Sequence, residues 1–173
     1  MTKPDNKLLH KGNLIQLYKE RVELPGGGHT HFDIIKHPGG AVIAAINAQN
    51  EVCILQQWRH AVQKTIWEFP AGCLEANEPP LSTAKRELEE EAGIVAQNWT
   101  DLGQVLPSPG FSNEILYFFE ARDLQTGNKQ LDEAEQIESH WLPLSTLLSM
   151  ANNGEIIDAK SLALLYKLTA PQL

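Results

Sequence analysis

Cysteine is scarce in this chain of 173 residues: Cys53 and Cys73 are the only two, and they form no metal-binding pair. No disulfide framework is implied, and the two thiols fit a reducing cytoplasm. Long apolar runs are missing as well. No stretch approaches the roughly 18 apolar residues of a membrane span, and the N-terminus, MTKPDNKLLHKGN, lacks the apolar core of a signal peptide. Positive charge is in deficit, with 14 Lys and Arg against 22 Asp and Glu, a net charge of −8. Such a surface does not attract nucleic acid or anionic membrane, and neither is expected as a partner. Internal repeats and low-complexity segments are absent too. What remains, 42% apolar and 21% charged residues, is the composition of a soluble globular protein. The length suits one domain with a sizeable core.

The most informative stretch is GCLEANEPPLSTAKRELEEEAGI, residues 72–94. A turn at Gly72 leads into a helix expected to begin near Pro79-Pro80, where a missing N–H has no intrahelical partner to lose. Leu81, Ala84, Leu88 and Ala92 form its apolar stripe, and Gly93 is a left-handed stop. Glu87, Glu90 and Glu91 stand at i, i+3 and i+4 and share another face. These acids repel one another and crowd the helix end that favours cations. A local rule broken this heavily points to a site, with divalent cations supplying the missing charge. Clustered carboxylates select hard ions such as Mg²⁺ or Mn²⁺.

Along the rest of the chain, residues 13–24 and 29–37 read as two strands around Pro25-Gly26-Gly27-Gly28, an antiparallel hairpin. The first alternates imperfectly, as an edge or partner-facing strand would. His29, His31 and His37 are expected at the surface. AVIAAI at 41–46 reads as a central buried strand, followed by a turn and a strand over 52–58. Further strands are expected within 95–106, 115–121 and 138–142. Pro107, Pro109 and Gly110 stiffen the loop 106–114. Residues 125–130 read as a polar, mobile segment. Helical segments at 144–151 and 158–168 close the chain, the second packing through Leu162, Leu165 and Leu168.

The spacing G-x5-E-x7-R-E-L-x-E-E-x-G-I in residues 72–94 resembles the Nudix box at every specified position. Gln57-Trp58-Arg59, the E-F-P-A-G run at 68–72 and the S-P-G-F-S-N-E loop at 108–114 resemble the Nudix subgroup that cleaves ADP-ribose and other nucleotide sugars. The resemblance implies an α+β fold, a Nudix-type α/β/α sandwich with an N-terminal antiparallel β-hairpin. It divides the chain into a dimer-forming region at 1–37 and a hydrolase domain at 38–173.

It also implies roles. Glu87, Glu90, Glu91 and the Ala71 carbonyl would hold two to three Mg²⁺ or Mn²⁺ ions, with Glu135 a further contact. Glu133 is the candidate general base, with Glu90 as the alternative. Arg59, Glu68, Pro109, Phe111 and Glu114 would meet substrate. Gly72, Glu78, Arg86 and Gly93 would shape the box, Glu78 as the ion-pair partner of Arg86.

The implied activity is hydrolysis of the diphosphate bond of ADP-ribose or a related nucleoside diphosphate sugar, giving a nucleoside monophosphate and a sugar phosphate. A nucleoside triphosphate pyrophosphohydrolase and a non-catalytic nucleotide-binding regulator are the alternatives. The subgroup's exchanged N-terminal strands imply a homodimer, and Leu14, Ile15, Leu17, Val22, Phe32, Ile34 and Ile35 supply apolar surface for one.

Overall fold

A computed structural model describes residues 6–131 and 135–170. Among these are three helices and ten strands, the strands arranged in three sheets. The N-terminal sheet contains β1 (Lys7–Lys11), β2 (Gln16–Glu23) and β3 (His29–Lys36), in that order. The expected hairpin is there, but β1 adds a third strand, which places β2 at the centre of the sheet and not at its edge. β1 could not be seen in the pattern because all five of its residues are exposed.

The core is built around β4 (Gly40–Ala45), whose six residues are all buried. It pairs parallel with β9 (Leu116–Thr126) and antiparallel with the short β7 (Ala71–Cys73). β8 (Ile94–Val105) completes that sheet beside β9. A second sheet sets β5 (Glu51–Arg59) between β6 (Lys64–Glu68) and β10 (Ile137–Pro143).

Alternation along the central run explains why it is apolar on both faces. Ala41, Ile43 and Ala45 face one cluster with Ala84 and Leu88 of α1 (Pro80–Ala92). Val42, Ala44 and Ile46 face the other, with Leu147 and Met150 of α2 (Leu144–Asn152) and Leu164 and Leu165 of α3 (Ala159–Thr169). Helices thus cover both sides of the strands, an α/β/α sandwich.

Four further expectations need correction. Leu81 lies at the exposed margin of the α1 stripe, because the buried face turns through Thr83, Ala84, Leu88 and Glu91. Leu162 of α3 is exposed for a similar reason, and Ser161, Leu164 and Leu165 are the buried positions. Residues 125–130 are tied down: β9 runs to Thr126, Gly127 N–H donates to the Gly93 carbonyl and Gln130 N–H to that of Glu90. His37 is not at the surface, since its ring packs between Cys73 and Glu114. His29 and His31 are exposed, as expected.

Candidate active site

α1 begins on Pro79 and Pro80 and ends on Gly93, whose φ of 67° is the left-handed conformation that glycine adopts without strain. Its apolar face fixes the helix against β4, which aims the carboxylate face at β7 and the end of β5. Gln57, Arg59, Ala71, Gly72, Cys73, Arg86, Glu87, Glu90, Glu91, Gln130, Leu131 and Glu135 meet there around a cavity of about 410 Å³. Gly72 is required by close approach: a Cβ at this position would lie 1.9 Å from the Glu87 carboxylate. Only a bare backbone lets Glu87 rest on the strand.

Glu91 is 3% exposed and accepts a 2.8 Å hydrogen bond from Ala71 N–H. Burial pushes its carboxyl up to about 8 against that bond, and the charges of Glu87 and Glu135 add to the rise. Burial also raises the Glu87 carboxyl; Arg86 opposes the shift, while Glu90 and Glu135 reinforce it. Arg86 is the local counter-charge. It lies 2.6 Å from Glu87, 3.1 Å from Glu90 and 3.1 Å from Glu78, and donates to the Cys73 carbonyl. Its hydrogen bonds hold the Glu78 carboxyl down to about 2. So Glu78 and Arg86 brace the turn.

The donor chemistry fits a hard divalent cation. Crowded carboxylates, two of them pushed toward neutrality by burial and mutual charge, are what such an ion would relieve. Among the described residues no three of His, Cys, Asp and Glu are gathered closely enough to cage an ion. Arg86 bonds Glu87 and Glu90, and the Ala71 amide bonds Glu91. Glu133 lies outside the described residues, whereas Glu135 lines the cavity.

Arg59 enters from the end of β5 and is clamped by Glu68, with Nε to Oε1 at 2.9 Å and Nη2 to Oε2 at 2.5 Å. Lys160 of α3, which the sequence reading missed, also contacts Glu68, at 2.6 Å, and Asp158, at 3.0 Å. Burial alone would raise the Glu68 carboxyl, but the Arg59 bonds and the Lys160 charge outweigh it and hold it below the usual range. The same corner is pinned by Ser161, whose Oγ donates to Asp158 and accepts from Phe69 N–H. No local signal marks Lys160, because its buried partner lies 92 positions away.

A smaller hollow of about 220 Å³ adjoins the main cavity and is lined in part by Arg59, Gly72, His37, Glu114 and Lys160. Glu114 is therefore brought to the site, 3.6 Å from His37 Nδ1. Pro109 and Phe111 are exposed on their loop and line neither space. That loop instead docks on the N-terminal sheet, with Ile35 N–H donating to the Phe111 carbonyl and Asn113 N–H to that of Ile35. A third space of about 620 Å³ runs from Arg86 and Glu87 past Cys73 and His37 to Asn13 and Gln16. Burial, with the charges of Glu87 and Glu114, raises the Cys73 thiol, so it has no activated nucleophile character.

Comparison with known proteins bears on the family. The chain is 38% identical over 155 residues to an ADP-ribose pyrophosphatase of Bacillus subtilis, covering 88% of this chain and 84% of the relative. Against a methanol dehydrogenase activator of Bacillus methanolicus it is 35% identical over the same shares. A crystal structure of an ADP compounds hydrolase superposes with a TM-score of 0.83 over 97% of this chain and 93% of that one; at 17% identity it bears on the fold alone. The model of the NUDIX domain matches residues 36–165, and the chain belongs to the family of Nudix hydrolases.

Proposed function

We propose that this Nudix diphosphatase hydrolyses the diphosphate bond of ADP-ribose or a related nucleoside diphosphate sugar, with Mg²⁺ or Mn²⁺ as cofactor. The observation that carries the reading is one cavity with Glu87, Glu90 and Glu91 on one wall and Arg59 on another. A diphosphate resists water because its anionic oxygens repel a nucleophile. Two or three divalent ions, bound by Glu87, Glu90, Glu91, the Ala71 carbonyl and Glu135, would neutralise that charge and acidify water. Arg59 then grips a phosphoryl oxygen while Glu68 and Lys160 hold its guanidinium in place. Glu133 removes the proton from the attacking water, with Glu90 as the alternative base. Glu114 faces the sugar side, in the smaller hollow. The B. subtilis relative's ADP-ribose activity supports the substrate class.

Residues 38–173 carry the hydrolysis, and residues 1–37 form the contact of a two-fold homodimer. The N-terminal sheet exposes Leu8, Leu9, Val22 and Phe32, apolar surface that a second copy would cover.

A panel of nucleoside diphosphate sugars and nucleoside triphosphates, assayed with Mg²⁺ for AMP or GMP release, tests the activity. ADP-ribose cleavage to AMP is expected. Pyrophosphate release from triphosphates alone would replace the substrate class, and binding without turnover would make the chain a regulator. Light scattering at micromolar concentration tests the dimer, which a monomer mass would refute.

A further inference from the structure

We propose that Gln57 is a substrate contact: its side-chain amide donates an N–H hydrogen bond to a phosphoryl oxygen of the diphosphate in the main cavity. The inference rests on the diphosphate reading above. Alternate residues of β5 share a face, and on that face Cys53 and Leu55 are buried against Ala84 and Leu88 of α1. The next two positions on the same face, Gln57 and Arg59, leave the apolar cluster and line the cavity beside Glu87, Glu90 and Glu91.

Arg59 is satisfied by Glu68. Gln57 is not held in this way: the residue is 5% exposed, and its amide is not among the buried side-chain groups left without a partner but opens on the cavity that it lines. Leu55, two positions earlier on the same face, shows that this face accepts an aliphatic residue. A polar group retained in such a place serves what enters the cavity. Glu87, Glu90 and Glu91 on the cavity wall are acceptors when ionised, and a diphosphate offers only acceptors. The amide N–H groups of Gln57 add donors next to the guanidinium of Arg59, on the wall remote in sequence from Arg86 and Gln130.

Two variants test the assignment, Gln57→Met, which keeps the shape without polar atoms, and Gln57→Glu, which keeps acceptors and loses both donors. Steady-state hydrolysis of ADP-ribose with Mg²⁺ is measured for each, together with the Tm of the metal-free proteins. Gln57→Met is expected to lower kcat/KM roughly 10- to 100-fold. Its Tm should stay close to that of wild type, because the amide opens on the cavity and not into the apolar cluster. Gln57→Glu should not rescue activity. A fall in Tm for Gln57→Met with kcat/KM unchanged would make the residue structural and overturn the proposal. Wild-type activity in Gln57→Glu would overturn the donor role. If the wild-type protein cleaves no nucleoside diphosphate sugar, the diphosphate reading and this contact fall together. If wild type cleaves ADP-ribose and Gln57→Met matches it, the contact alone falls.

Discussion

Two helices of this molecule treat the same local rules in opposite ways. α3 obeys them: the Asp158 side chain accepts from Ser161 N–H at its start, and Lys167 lies in its last turn. α1 has no side-chain cap at Pro79 and no basic residue in its last turn, where Glu89, Glu90 and Glu91 crowd together. Each acid so placed costs about 0.3–1 kcal/mol against the helix dipole. The buried Ala84 and Leu88 offset that cost by anchoring α1 between sheet and solvent. A helix whose ends follow the rules holds the fold together, and one that breaks them at the end facing a cavity marks the chemistry.

The contrast can be broken most severely at Glu91. Glu91→Gln should cut ADP-ribose turnover by at least about 100-fold while the metal-free protein melts no lower than wild type. Turnover near the wild-type level would remove the carboxylate face from the mechanism. The other face of the same helix should respond the opposite way. Leu88→Ala is expected to cost about 2–5 kcal/mol of stability in urea unfolding, with kcat changed far less.

α3 reaches the site through Lys160, and Lys160→Met sharpens the comparison by asking whether a rule-abiding helix matters to catalysis. A loss of about 1–3 kcal/mol is expected, because the buried Glu68 loses one of its two cations. The pH dependence has a definite sign. The folded carboxyl of Glu68 is held below its ordinary range, so its contribution is present above that range. It is lost as pH falls through the lowered value. Acid unfolding followed by circular dichroism should therefore begin at higher pH in Lys160→Met than in wild type. Identical acid transitions would mean that Lys160 adds nothing to Glu68.

The smallest effects lie at the caps. Asp158→Ala should cost about 1 kcal/mol, whereas Pro79→Ser should gain up to about 1 kcal/mol by adding the missing cap. Equal losses from both, read as shifts in Tm, would show that the two helix starts do not differ as described.

How much of this was legible in the sequence depended on whether burial left a period. The run 41–46 and the box helix read correctly because both bury residues at the spacing of their element. β1 left no such trace, being exposed throughout. The tethering of 125–130 to α1 is made largely by backbone groups, which no residue pattern records. Of the site, the carboxylates were visible because they share one helix face. Arg59, Glu68 and Lys160 meet through tertiary contact, and only the first two lie in a stretch with a family resemblance. Gln57 carried a faint signal, a polar residue near the end of an apolar strand, which acquires meaning only beside the carboxylate-lined cavity.

The parallel pairing of β4 with β9 has a consequence for how the enzyme comes into being. Gly40 meets Leu116 and Ala45 meets Ala121, so the central strand waits for a partner made much later in synthesis. The box helix and Gly72 turn are finished before then, with the apolar residues of β4 still uncovered on one edge. Parallel contacts of such separation are slow to form, because the loop must close before they reward it. The nascent chain therefore holds an aggregation-prone strand edge until residue 121 has emerged, and carboxylates without a complete cavity until residue 135 has. Assembly of the candidate cavity is a late event in the life of this chain, set by topology and not by the box motif.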